Sequence, residues 1–200
     1  MPSISYAVTA CNEHKELSFL LELLRNHIRQ EDEIVIQLDM DNATKEVRTV
    51  ANKYTMHPLN GDFATFKNHL SKFCTKDYIF QIDADEYPNP LLLLSLPQIL
   101  EHNPTVEVFL TPRINTVKGL TEQHIKQWGW NVNEKGWVNF PDYQWRIWKN
   151  IPSIKWINKV HERLDGFNHY SALPQMEEYC LFHPKDIKRQ EKQNEFYSKI

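Results

Sequence analysis

Glycine is scarce in this chain, five in 200 residues, and its scarcity removes whole classes of phosphate binder. Neither G-x-G-x-x-G nor G-x-x-x-x-G-K-[ST] occurs, so the glycine-rich loops that cradle a diphosphate in Rossmann and P-loop proteins are not in use. Cysteine is sparse too. Cys11, Cys74 and Cys180 are odd in number, far apart and without a C-x-x-C pair, which excludes a disulfide framework or zinc ribbon and leaves each thiol as a small apolar filler. No run approaches the ~18 apolar residues of a membrane span. The start, Met1-Pro2-Ser3-Ile4, lacks a basic-then-apolar leader, so a cytoplasmic protein with no membrane span is expected. A net charge of −3 supplies no basic field, and nucleic acid is not expected as a partner.

What the chain does have is an ordinary soluble composition, 41% hydrophobic and 24% charged, over a length that suits one domain, 1–200. The reading centres on Tyr78-Ile79-Phe80-Gln81-Ile82-Asp83-Ala84-Asp85-Glu86-Tyr87-Pro88. An apolar, β-prone run delivers three carboxylates and stops at a proline, so the acids sit at the carboxyl end of a buried strand. In an open α/β sheet that edge is where ligands bind. Asp83 and Asp85 are two apart; in extended geometry they point the same way and can share a hard divalent cation. A solvated turn is the bland alternative.

Upstream, the same arrangement repeats. Residues 4–10 are β-prone and end at Cys11-Asn12-Glu13, after which Leu17, Leu20, Leu21, Leu24 and Ile28 form the stripe of an amphipathic helix. Ile34-Val35-Ile36-Gln37-Leu38 is a second strand running into Asp39-Met40-Asp41-Asn42. A second helix is predicted to start near Asn42 or Thr44, with Val47, Val50 and Tyr54 facing inward. Residues 56–62 read as a loop, and Phe63, Phe66, Leu70 and Phe73 recur at helical spacing up to the central strand. Three rounds of strand, polar turn and helix predict a mostly parallel sheet with helices on both faces. Right-handed crossovers then bring Asn12, Glu13, Asp39, Asp41, Asp83 and Asp85 to one crevice. With so little glycine, a metal is the better means of holding a diphosphate there.

Downstream, Pro97 is expected to break residues 90–100 into two short helical pieces. Residues 106–110 read as a strand, and 114–142, with Trp128, Gly129, Trp130 and Trp137, as a loop region in which Trp128 and Trp130, flanking a glycine, are the candidates for stacking on a sugar ring. Trp145, Trp148 and Trp156 read as core. Residues 143–148 and 154–160 suggest strands pairing antiparallel, 177–182 a last strand delivering His183, and 185–200 a charged helix. Lys185, Lys188 and Arg189 on it either close over phosphates or face solvent.

The chain resembles the family 2 glycosyltransferases of GT-A fold. The likeness runs through Thr9-Ala10-Cys11-Asn12-Glu13, Asp39 and Asp41, Asp62-Phe63-Ala64-Thr65-Phe66-Lys67-Asn68, and Ile82-Asp83-Ala84-Asp85-Glu86. It continues in Gln144-Trp145-Arg146-Ile147-Trp148, Val160-His161-Glu162 and Phe182-His183-Pro184. Two features depart from the family pattern: Lys67 stands where Arg is common, and the acidic pair that usually precedes Q-x-x-R-W is reduced to Asp142.

The resemblance implies transfer of a hexose or pentose from a UDP- or GDP-sugar to a glycan, lipid-linked or protein-linked acceptor, with Mn²⁺ or Mg²⁺ as cofactor. It implies donor binding by Thr9, Ala10, Asn12, Glu13, Asp39, Asp41, Lys67, Asn68, Asp83, Ala84 and Arg146, within a nucleotide-sugar half (1–88) and an acceptor-side half (89–200) whose sheet is partly antiparallel. It further implies metal ligation by Asp83, Asp85 and His183, and a general base at Glu162 with Asp142 as substitute. Residue chemistry leaves simpler roles open: a helix cap for Asn12, a solvated charge for Lys67, a surface ion cluster for Glu162. The rival functions are a nucleotidyltransferase, which would carry a glycine- and arginine-rich first loop, and a non-catalytic glycan-binding module of the same fold.

Overall fold

The computed structural model describes residues 1–197. Its principal sheet has the order β3-β2-β1-β4-β7-β6-β11-β5. The amino-terminal part is parallel: β1 (Ile4–Ala10), β2 (Glu33–Asp39), β3 (Thr55–His57) and β4 (Tyr78–Asp83) alternate with α1 (His14–His27), α2 (Lys45–Ala51) and α3 (Phe63–Ser71). Then come the short β5 (Tyr87–Pro88), α4 (Pro90–His102), β6 (Val108–Lys118), α5 (Glu122–Trp128) and β7 (Val138–Lys149). β7 runs antiparallel to both β4 and β6 and joins the two halves of the sheet. β8 (Lys155–Ile157) and β9 (Arg163–Asp165) form a separate hairpin, β10 (Tyr170–Ala172) lies parallel to β6, and β11 (Leu181–Asp186) leads into α6 (Ile187–Tyr197).

The period-2 alternation of buried strands sorts their side chains into two cores. Tyr6, Val8, Phe80, Ile82 and Ile147 pack with Leu17, Leu20, Leu24, Leu92 and Leu96 from α1 and α4. Their neighbours Ala7, Ile79 and Trp148 face the other way, onto Leu70 of α3 and Trp156 and Leu164 of the β8–β9 hairpin. Helices therefore cover both faces, as the repeated strand-turn-helix pattern requires. Thr44 caps α2 by accepting from the Val47 amide at 3.3 Å, and Asp62 caps α3 by accepting from the Thr65 amide at 2.9 Å.

Several expectations fail here for physical reasons. The loop expected at 56–62 begins as an edge strand, since Thr55–His57 pair with Gln37–Asp39 before Pro58 ends the ladder. Phe73 lies beyond α3 and is exposed. Pro97 does not divide its segment: α4 runs unbroken across it. The lost backbone bond costs about 3 kcal/mol, while burial of Leu92, Leu93, Leu96 and Leu100 contributes ~1.5–3 kcal/mol for each side chain. Residues 114–118 and 138–142 extend β6 and β7 into the presumed loop region. β8 pairs with β9 rather than with β7. Glu177–Tyr179 is a single 3-10 turn, so the last strand starts at Leu181. Positions 198–200 of the expected final helix lie outside the described residues. No helix among the described residues is long and apolar enough to cross a membrane.

Candidate active site

The register puts the ends of the parallel strands level: Thr9 lies beside Asp83, and Ala10 beside Leu38, the residue before Asp39. Above them opens a cavity of about 690 Å³. Thr9, Ala10, Glu13, Asp39, Lys67, Asp83, Ala84, Asp85, Asp142, Arg146, Glu162 and His183 all line it. The topology thus gathers residues as far apart in the chain as Thr9 and His183.

The floor is an ion network. Arg146 Nη2 donates to Asp83 Oδ2 (2.8 Å) and Glu86 Oε1 (2.7 Å), and Arg113 Nη1 donates to the same Glu86 oxygen (2.6 Å). Glu86 and Arg146 are almost fully buried. Asp83 Oδ1 accepts from Thr9 Oγ1 (2.8 Å), and Lys67 Nζ stands 3.6 Å away. Burial alone would raise the pKa of Asp83. The positive charges of Arg146 and then Lys67, with the Thr9 hydrogen bond, outweigh it and hold the carboxyl well below the usual range. Lys67 Nζ also donates to Glu162 Oε1 at 2.7 Å.

Asp142, near the start of β7, is held as tightly. Oδ2 accepts from Arg113 Nε (2.9 Å), Arg113 Nη2 (2.6 Å) and Asn115 Nδ2 (2.8 Å), while Oδ1 accepts from Gln144 Nε2 (2.8 Å). Burial opposes ionisation here too, but the Arg113 charge and these donors lower the pKa. The group is a carboxylate at neutral pH.

Asp85 and His183 form the third cluster. Because Asn115 spends its amide nitrogen on Asp142, the atom facing His183 Nδ1 at 2.9 Å is its carbonyl oxygen, so Nδ1 carries the hydrogen. His183 Nε2 then confronts Asp85 Oδ2 at 3.1 Å, a pairing of lone pairs unless a proton or metal cation lies between them. That donor set fits two ligands of a divalent ion whose other positions are taken by water and phosphate oxygens. Asp83 is turned into its own ion network, and no group of three His, Cys, Asp or Glu among the described residues is arranged to hold a metal. The expected triad of Asp83, Asp85 and His183 is therefore not assembled as one cage. Arg189 of α6 reaches back to Asp85 Oδ2 (3.1 Å) and Glu13 Oε1 (3.3 Å). Burial would raise the Asp85 pKa, but the His183 hydrogen bond and charge, then the Arg189 charge, lower it. Lys185 lines the same wall, and burial pushes its ammonium down to about 8.

Three expected donor residues stand outside the cavity lining. Asn12 and Asp41 are exposed, and each gives its backbone amide to a neighbouring carboxylate, Glu13 and Asp39 respectively. Asn68 clips α3 to β8, donating to the Trp156 carbonyl and accepting from its amide. Nor does Asn12 cap α1; the cap position is Glu13. Cys74 and Cys180 are buried fillers, whereas Cys11 lines the cavity as a neutral thiol, its pKa pushed up to about 11 by burial and then by Glu13 and Asp39. Sequence reading missed Arg113, Asn115 and Gln144 as members of this site. The available signal was a charged residue inside the β-prone Thr111-Pro112-Arg113-Ile114, which demands an acid across the sheet; the register puts Asp142 there.

Comparison with known proteins agrees with this architecture. Structures of TarS residues 1–349 from S. aureus superpose with a TM-score of 0.63 at 17% identity for the UDP-GlcNAc complex, covering 92% of this chain and 59% of that one. For TarS 1–349 alone the figures are 0.62 and 14%, over 92% and 60%. The chain thus spans about 60% of the length of these relatives. At such identities the likeness shows a shared fold, of the GT-A type. Glucosyl-3-phosphoglycerate synthase from Mycobacterium tuberculosis, in complex with Mn2+ and UDP-glucose, matches over 59% of this chain and 44% of its own at 15% identity and a TM-score of 0.46. No curated protein matches the sequence. The family model for glycosyl transferase family 2 matches residues 5–169, and the chain belongs to that family.

Proposed function

We propose that the chain is a glycosyltransferase that moves a sugar from a nucleoside-diphosphate sugar to an acceptor hydroxyl by one in-line displacement, with inversion. The observation that carries this reading is the convergence of Asp39, Lys67, Asp83, Asp85, Asp142, Arg146 and His183 on one cavity at the carboxyl ends of the strands. Residues 1–88 supply the donor end: Asp39 for the base of a UDP- or GDP-sugar, Thr9 and Ala10 for its ribose. Residues 89–200 supply the acceptor end. The absence of a spanning helix among the described residues is compatible with work in the cytoplasm.

As the acceptor oxygen bonds to the anomeric carbon, its proton passes to a carboxylate and the electron pair of the breaking bond leaves on the diphosphate. Lys67, Arg146 and Lys185 face that developing charge, and preorganised cations in a secluded site favour it most as it forms. A divalent ion, Mn²⁺ or Mg²⁺, held by Asp85 and His183 would neutralise the departing diphosphate. For the base we favour Asp142 over Glu162. Asp142 is already ionised, among the described residues its Oδ1 accepts from Gln144 alone, and it lies on the strand that builds the far end of the cavity. Glu162 is paired with Lys67 and sets that ammonium.

The test is a panel of nucleotide sugars with and without Mn²⁺. One donor is expected to raise the melting temperature only with the ion, and Asp85→Ala to abolish both that shift and turnover, a loss of about 10³-fold. Full activity in the variant would remove the metal from the proposal.

A further inference from the structure

The donor-facing residues come from β1, β2 and the α3 side of the sheet; the other end of the cavity is built by β6, β7 and the segment after α5. There Trp130, Asn139 and Asp142 line the same space. Trp130 is not a loosely hung side chain. Gly129 ends α5 in the left-handed conformation (φ 64°), and the Trp130 amide turns back to the Ile125 carbonyl at 3.0 Å. The next residue is stapled to β7: the Asn131 amide donates to Asn139 Oδ1 at 2.9 Å, and the Asn139 amide to the Asn131 carbonyl at 2.7 Å. The indole is propped by Trp128, ring centroids 4.7 Å apart, and Trp128 is itself stacked on His124 at 5.0 Å. A half-buried indole, held by backbone clamps and a second indole and lining the same cavity as Asp142, is a preformed flat surface at the proposed base's end of the site; Asn139, which clamps it, precedes Asp142 by three residues of β7.

We propose that Trp130 is the platform on which a pyranose ring of the acceptor lies, presenting one hydroxyl to Asp142. The C–H face of a pyranose stacks on indole, and the amides of Asn139 and Gln144 offer partners to its other hydroxyls. The acceptor class is therefore a glycoside, recognised through its sugar rather than through a bare lipid or protein hydroxyl. This assignment rests on the glycosyltransferase reading.

Saturation-transfer NMR tests it on the whole chain, with diamagnetic Mg²⁺ and whichever of UDP or GDP raises the melting temperature. The probes are the methyl pyranosides of glucose, galactose, mannose and N-acetylglucosamine. At least one is expected to receive saturation on the C–H groups of one ring face. Trp130→Phe should retain this, and Trp130→Ala should weaken binding about tenfold, with the nucleotide-induced melting shift equal in all three proteins. No transfer to any probe, unchanged transfer in Trp130→Ala, or transfer to octyl but not methyl glucoside would overturn the platform. A wild-type chain that binds no nucleotide would overturn the glycosyltransferase reading along with it; normal nucleotide binding with an indifferent Trp130→Ala would overturn the platform alone.

Discussion

The two ends of the cavity are held by different physical means. At the proposed donor end Asp39 and Glu13 are held mainly by nearby backbone amides. Asp39 accepts from the amides of Asp41 (3.2 Å) and Leu59 (3.3 Å) and from Asn42 Nδ2 (2.7 Å), and Glu13 folds back onto the amides of Cys11 and Asn12. Toward the proposed acceptor end position is set across strands and through buried charge, with Arg113 opposite Asp142 in register, and the network reaches back to the first half of the chain through Glu86, shared by Arg113 and Arg146. The difference teaches where the molecule tolerates change. A local turn loses one bond when one residue goes, whereas a buried ion network loses the compensation of every member that remains.

The comparison breaks most visibly in catalysis. Asp142→Asn should lower transfer roughly 10²–10⁴-fold, the contribution of a placed base, while Glu162→Gln should act chiefly on donor KM by releasing Lys67. Steady-state kinetics of the two variants decides; the opposite ranking would return the base to Glu162. Stability sharpens it next. Glu86→Gln removes the buried charge that Arg113 and Arg146 share, leaving them Asp142 and Asp83 as partners, and should cost about 3 kcal/mol in urea unfolding, against about 1 kcal/mol for Asn42→Ala at the proposed donor end. Equal losses would mean that the two ends are not built differently. The smallest effect belongs to a control far from the cavity. Asp77 accepts from the Ser3 amide (2.7 Å) and hydroxyl (2.8 Å), which lower its pKa from the ordinary 3.8. A depressed carboxyl stabilises fully above its unfolded pKa and loses that contribution as pH falls through the folded value. Melting curves of Asp77→Asn should therefore lie slightly below wild type at neutral pH and converge with it under acid; parallel curves would show that this carboxylate adds nothing.

The same contrast explains what could be read from the sequence. In β1, α1, β2 and β4, hydrophobic period and turn residues are local properties, so Asp39, Asp83 and Asp85 could be placed at one edge from spacing. Lys67, Arg146 and His183 were legible only through family resemblance, since nothing near them in the chain marks them. Glu86 was visible as a third acid, but its partners lie 27 and 60 residues away, and no local signal chooses them. The edge strand β3 was hidden by its length of three residues, and the continuous α4 by a proline whose cost is met through tertiary burial.

At the proposed metal site one contact would make the protein the ion's own rival. The Arg189 guanidinium rests on the same Asp85 oxygen that faces His183, so a divalent cation arriving there must evict a resident tethered to α6. Affinity for the proposed ion would then be a difference between two positive charges competing for one carboxylate. The displaced side chain would be left beside a diphosphate with its own charge newly unpaired.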